Sequence, residues 1–471
     1  MKMYRWGILL IICAQVIAGC QPTYRKDDVE NSIKRICHNE YGIDQVEVQI
    51  KGKTLGVYLP LQQLFSVDYE KFLSGGATGN LENLMQFHPE ALNKVEDVLF
   101  TTSRVILSTN RPIDFYLLNA TDTVVTGIQF VIIGYVEDMK RVRFWDISRS
   151  EYRKRLIHDL SINKSVIWKR TVVELFKELP ELSLDRFQEE YLMTGVTLDS
   201  LSPYFVKQLT EDAQKENLSY AIQDIRAKPI DNKQVLVYAK VKESYTPPKD
   251  QSTKFIFPNG YVGEYLFVLK MQGLDFKIVQ VVPFYVIGDD GTLSAVKFPD
   301  ELKIYQNLDT WPKDFEFDEI TLEDFMAEQI TKRIEGLVSF DKRIKKNFVE
   351  RRSDGKINCT YIPANDQPAT DTSDQQNRFR IYISMRLRDK LFLTTQDLQG
   401  NSDVQYLLSL ILFEVSSVLE AYHFENYANV EIRVPLMKQS MIVDRTALED
   451  FGKKKLPIDQ LLHHSYLEDI L

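Results

Sequence analysis

The side chains with the widest chemical repertoire are scattered along the chain. Six histidines occur: His38, His88, His158, His423, His463 and His464. None has a second histidine at the i, i+4 spacing that lets two imidazoles share a metal from one helix face. His463 and His464 are adjacent, and on a helix neighbours diverge by about 100°. No Cys-x-x-Cys is present, so no metal site is expected. Cys37-His38 would suit a thiol–imidazole pair, but helical neighbours do not readily touch. Ser161 and Lys164 have the bare Ser-x-x-Lys spacing without its companion motifs, and two fixed positions recur by chance in a chain this long. Gly75-Gly76-Ala77-Thr78-Gly79 is followed by no Lys-Ser/Thr and preceded by no clear strand, so it reads as a loop and not a phosphate cradle. The 67 acidic residues make carboxylate pairs unavoidable, and spacing alone assigns them no role. The reading is therefore of a chain without a catalytic constellation, a cofactor or a metal.

Two groupings keep an open chemical meaning. Tyr220, Tyr238, Tyr265, Phe267 and Phe276 lie on a run of strands. A curved sheet closed by helices can leave a conical ligand pocket lined by such rings; the same rings can equally fill a core. Among the four cysteines, Cys37 and Cys359 sit far apart in sequence. Outside the cytoplasm they could form a bridge tying the first domain to the last; otherwise they are two buried thiols.

The elements that would position these residues form three α+β domains with mainly antiparallel sheets. The first spans 29–180. A helix over Val29–Glu40 precedes Val46, Val48 and Ile50, which alternate with polar residues as a half-buried strand does. Lys51-Gly52-Lys53 turns the chain into a second strand. Pro89 opens a long helix at the position where a missing N–H costs nothing. Strands at 113–118 and 127–136 follow, then a helix begun by Ser148 and Glu151, a capping-box pair, and a final helix over 165–179. The middle domain, 181–300, reads as helices followed by four strands in a meander. Residues 301–318 read as a linker. The last domain, 319–471, opens on a helix capped by Thr321 and contains an apolar-faced helix over 402–423. Its strands at 429–434 and 439–443 precede a second expected capping-box pair, Thr446 and Glu449. First and last domains share the order helix, strand, strand, long helix, strand, strand, short helix. That order suggests two copies of one unit, with coincidence as the alternative.

The chain opens with Lys2 and Arg5, then an apolar run from Gly7 to Ala18. A bilayer needs about 20 apolar residues, so the run is too short to span one and fits a secretory signal. It ends Ile17-Ala18-Gly19-Cys20, which resembles the lipobox of bacterial lipoproteins. The resemblance implies cleavage between Gly19 and Cys20 (residues 1–19 a signal peptide), acylation of Cys20, and a tether over 20–28. Gln21 stands where an aspartate would imply inner-membrane retention, so the resemblance implies the outer membrane, facing the periplasm. The middle domain's order of elements resembles cystatin-like and NTF2-like folds in pattern alone.

Net charge is −9, and −11 once the first nineteen residues, with two bases and no acid, are set aside. A nucleic-acid surface would show basic clustering, so none is expected. The expectation is a non-catalytic lipid-anchored envelope protein with a protein partner. A ligand-binding lipoprotein using the aromatic pocket is the alternative.

Overall fold

The structure is a computed structural model. It describes residues 23–66, 86–123, 128–162, 164–231, 233–248, 255–272, 275–288, 291–312, 315–350, 357–364, 376–390, 393–434 and 439–469. Cys20, Gly19, Gln21 and the glycine-rich stretch 75–79 lie outside these residues. The chain is α+β, as expected from its order of elements.

The first unit begins with helix α1 (Val29–Tyr41). Val29, Ile33, Ile36 and Cys37 recur at helical spacing and all face inward. Gly42 ends the helix at φ +66°, where its N–H and that of Ile43 close on the carbonyls of His38 and Cys37. The sheet has the order β1 (Glu47–Lys51), β2 (Thr54–Leu61), β3 (Phe115–Asp122), β4 (Ile128–Tyr135), β5 (Ile157–Ile162). Only β2 and β3 run parallel, because helix α2 (Pro89–Ile106) carries the chain back between them. α1 and α2 cover one face, with Leu55, Val57, Leu59, Leu118 and Ile132 in the core. The edge strand β5 escapes a reading of period two. The segment 24–28 is docked and does not hang free as a tether. Tyr24 N–H donates to Ser108 O at 3.2 Å, and Arg104 Nε donates to Tyr24 Oη at 3.0 Å.

Two short helices, α3 (Val136–Arg143) and α4 (Arg149–Arg155), link β4 to β5. Ser148 Oγ accepts from Glu151 N–H at 3.0 Å as expected, while the Glu151 carboxylate turns to Arg155.

The first unit ends near residue 162, not 180. Helix α5 (Lys164–Glu178) buries Val172, Leu175 and Phe176 in the next core. Its apolar stripe matches the middle sheet, and sequence alone does not say which neighbour a stripe will find. That sheet is a meander of β6 (Glu216–Pro229), β7 (Gln234–Thr246), β8 (Val262–Gln272) and β9 (Asp275–Pro283). Helices α5, α6 (Leu184–Glu190) and α7 (Pro203–Asp212) close one face. The other face is covered by Phe298, Leu302 and Trp311.

The last unit repeats the topology of the first. Helix α8 (Leu322–Phe340) is capped by Thr321, whose Oγ1 accepts from Asp324 N–H at 3.1 Å. The sheet runs β10 (Ile357–Ile362), β11 (Arg378–Ile383), β12 (Asn429–Arg433), β13 (Gln439–Asp444), β14 (Tyr466–Asp469), again with only its second and third strands parallel. Helix α9 (Ser402–Ala421) makes the crossover. It is long and apolar enough to cross a bilayer, yet Leu407, Leu408, Ile411, Leu412 and Val415 are sealed in this core. Strand order and every strand direction agree between the two sheets. The expected box at Thr446 and Glu449 does not form. The helix begins at Arg445, two residues earlier than a Thr446 cap would start it, and Arg445 Nε donates to Glu449 Oε1 at 2.7 Å.

Residues 301–318 are not a free linker. After Trp311 has packed on the middle sheet, Phe315 and Phe317 cross the open face of the first sheet. Phe315 stacks on Tyr58 with ring centroids 5.5 Å apart. Gly56 makes room for them: a Cβ there would lie 2.3 Å from Phe317. Lys53 N–H then donates to Glu319 Oε1 at 2.9 Å and Ile320 N–H to Thr54 Oγ1 at 2.8 Å. This strap brings α8 against Phe115 and Tyr135, which contact Phe325.

Candidate functional site

The expected pocket residues divide between two faces. β7 and β8 pair Tyr265 with Ala239 and Leu266 with Tyr238, so Tyr238 points away from Tyr265. Tyr238 packs against Phe284 on the outer face. Tyr220, Tyr265, Phe267 and Phe276 do share the helix-covered face. There they pack into a core: Phe176 and Phe205 both sit about 6 Å, centroid to centroid, from Tyr265 and from Phe267. Alternation told which residues share a strand face. The register that sets Tyr238 apart from Tyr265 is a long-range property.

Beside this core lies a cluster of ionisable groups. α7 presents Gln208 and Asp212 one turn apart, and the next loop supplies Lys215. β6 adds Tyr220, β7 adds Glu243 and β8 adds Tyr265. Lys215 Nζ donates to Asp212 Oδ1 at 2.7 Å and to Glu243 Oε1 at 2.5 Å. Gln208 Nε2 donates to Glu243 Oε2 at 3.1 Å, and Tyr265 Oη donates to Gln208 Oε1 at 2.8 Å. Tyr220 Oη donates to the second Asp212 oxygen. Lys215 also lies 5.3 Å from the ring centre of Tyr245. Burial raises the carboxyl groups of Asp212 and Glu243 above their ordinary range, against the pull of Lys215. Burial works to lower Lys215, yet the two carboxylates hold its ammonium above its usual value. Burial also pushes up Tyr220, with Asp212 adding to it. Two carboxylates at one site strengthen each other's hold on a proton, and the cation they share opposes that. Here each polar end meets another, so the cluster reads as a closed lock between helix and sheet.

Two further ionic groups hold the terminal units. Arg155 Nη1 donates to Asp138 Oδ1 at 2.9 Å, and Tyr422 Oη donates to Asp138 Oδ2 at 3.0 Å. Gln329 Nε2 donates to Arg155 O, which ties α8 to the first unit. On the last sheet, Glu431 is wholly buried beneath Arg378, Arg380 and Arg433. Arg380 Nε donates to it at 2.7 Å. Burial would raise Glu431, but Arg433 and Arg380 hold it below its usual value.

Cys37 and Cys359 are not brought together. Each is a free thiol buried in its own unit. The expected bridge fails because both side chains point into separate apolar cores. Burial pushes Cys37 up to about 11 and Cys359 higher still. A cleft of about 750 Å³ is lined by exposed polar side chains such as Asp44, Gln62, Gln63 and Lys94 and, to a similar extent, by apolar ones such as Ile43, Leu59 and Leu61. Among the described residues, no group of three His, Cys, Asp or Glu could hold a metal ion.

Sequence reasoning missed the Gln208–Asp212–Lys215–Glu243 cluster. Its only local signal was the i, i+4 pair on α7. It also missed a basic surface run over residues 140–154. That run was legible but hidden by the acidic total, which averages the whole chain.

No family model matches the chain, and neither does any curated protein. A crystal structure from Novosphingobium aromaticivorans, described as that of a presumptive aromatic ring hydroxylase, is similar over 28% of this chain and 92% of its own. The sequences are 11% identical there and the TM-score is 0.20, a likeness too slight to support any inference.

Proposed function

We propose that this chain is a non-catalytic, lipid-anchored protein of the cell envelope that binds a partner protein in an assembly. The observation that carries the reading is Ile17-Ala18-Gly19-Cys20 after a short basic and apolar segment. Acylation at Cys20 supplies more than one chain, and two or more chains anchor where one holds marginally. The outer membrane, facing the periplasm, is the proposed location. Support comes from the ionic clusters, which are turned inward and bridge elements. A ligand-binding role draws little support from a middle core in which ring packs edge-on or tilted against ring.

The test is metabolic labelling with an alkyne fatty acid, followed by in-cell crosslinking and affinity capture. The reading expects label on the native chain, none on Cys20→Ser, and one discrete partner recovered with the anchored form alone. An unlabelled native chain would overturn the anchor. A labelled chain with no discrete partner would overturn the assembly role.

A further inference from the structure

The chain is acidic, yet Lys140, Arg141, Arg143, Arg149, Arg153, Lys154 and Arg155 fall within one short stretch. Some of these charges are spent internally. Arg155 is buried on Asp138, Arg141 pairs with Asp138 at 3.5 Å, and Lys140 pairs with Glu137 at 3.0 Å. Arg143, Arg149, Arg153 and Lys154 are exposed, and no carboxylate among the described residues pairs with them.

In their midst stand Phe144 and Trp145. Trp145 is 87% exposed, the most exposed large apolar side chain among the described residues, and Phe144 is 72% exposed. Trp145 ends helix α3 at φ +67°. Asp146 N–H closes back on Arg141 O at 2.8 Å, which makes Trp145 the left-handed residue of a helix C-terminus. Glycine is the ordinary occupant there, because a Cβ is disfavoured at such a φ. A bulky indole is thus held outward at a position that works against it.

The topology also says which way this corner faces. Tyr24 bridges to Thr109, in the short segment that joins the end of α2 to the start of β3. Val136 N–H, at the start of α3, donates to Asp114 O at 2.8 Å, at that same start of β3. The N-terminal segment and the aromatic corner therefore leave the same end of the first sheet.

We propose that the Phe144–Trp145 corner is a second, non-covalent contact with a membrane, seated in a layer of anionic phospholipid headgroups. The rings enter the interface, where an amphipathic indole is at home, and the four free cations meet the lipid phosphates. Its orientation toward the anchoring membrane rests on acylation at Cys20; its lipid affinity does not.

The full chain, as produced by cells and as Cys20→Ser, is mixed with vesicles of phosphatidylcholine alone or with phosphatidylglycerol. The Trp145 signal is the emission difference from Trp145→Phe. Both forms should show a blue shift, and quenching by brominated acyl chains, on the anionic vesicles only. A basic residue near an anionic surface is worth about fivefold in binding, so Arg143→Ala/Arg153→Ala should weaken Trp145 insertion roughly thirtyfold. Lys342→Ala/Lys346→Ala, an equal charge change on the last unit, should leave insertion within about twofold. If the anchor reading fails, the two forms float alike while the Trp145 signal persists. If Trp145 stays unshifted and unquenched on anionic vesicles while the native form floats, the contact is refuted. Trp145 quenching by an oligonucleotide with none by vesicles would also overturn it.

Discussion

Lys215→Met removes the cation at the centre of the middle unit while keeping most of its apolar stem. The two carboxylate oxygens that share its ammonium are then no more than about 5 Å apart, since each sits within 2.7 Å of Nζ. At an effective dielectric near 20, two unit charges at that distance repel by about 3 kcal/mol. Breaking a buried pair costs about 3–5 kcal/mol by the same physics. One carboxyl group can escape the cost by keeping its proton. Asp212 and Glu243 are already raised in the folded chain, so their contribution is fully present below the ordinary carboxylate range. It is lost as pH rises through their folded values. Losing Lys215 extends that window upward. The variant should therefore be about 3 kcal/mol less stable than the native chain at pH 8, and closer to 1 kcal/mol less at pH 5. Urea unfolding followed by tryptophan emission reads the right unit, because Trp168 and Trp311 both pack against the middle sheet. Adding Glu243→Gln should recover part of the loss at pH 8. A loss below about 1 kcal/mol at both pH values, or a larger loss at pH 5, would refute the shared-cation account.

Gly56→Ala should lift the Phe315–Phe317 strap, since the new methyl would overlap Phe317. Limited proteolysis should cut near 313–320 at least about tenfold faster, and an unchanged rate would show that the strap is not held there. Glu431→Gln should flatten the acid side of the stability curve. Glu431 is lowered in the fold, so its stabilisation is present above its ordinary value and fades as pH falls through the folded one. A native chain with no such fade above pH 3 would contradict this. Cys37 and Cys359 should react with a maleimide only in denaturant and without added reductant, read by peptide mass. A peptide joining the two cysteines would show a bridge instead.

The elements were legible where local chemistry decides them. Alternation around Val48 marked β1, Pro89 marked α2, and Ser148 and Thr321 capped the helices they were expected to cap. Failures arose where a distant partner decides. The stripe of α5 reads the same whether it serves the sheet before it or the sheet after it. Tyr238 and Tyr265 alternate correctly on their own strands, yet only their pairing sets them on opposite faces. Thr446 had the right spacing to Glu449, but the helix opened two residues sooner, at Arg445, with Asp444 in the cap position. Phe315 and Phe317 lie in a stretch whose composition suggests a spacer, and nothing local shows that Gly56 leaves them a berth. The basic corner at 140–154 was visible as a local run and was obscured by counting charge over the full length.

The strap has a consequence for the order in which this chain can be completed. Thr54 waits for a partner 266 residues further along. As the polypeptide is made from its N-terminus, the first sheet acquires its helices early, but the apolar packing of Phe315 and Phe317 on Tyr58 and Leu117 waits until those two rings arrive. The first unit therefore finishes folding only after the middle one has been produced. Any truncation before residue 315 leaves a sticky sheet face, a natural handle for chaperones and proteases to tell unfinished copies from finished ones.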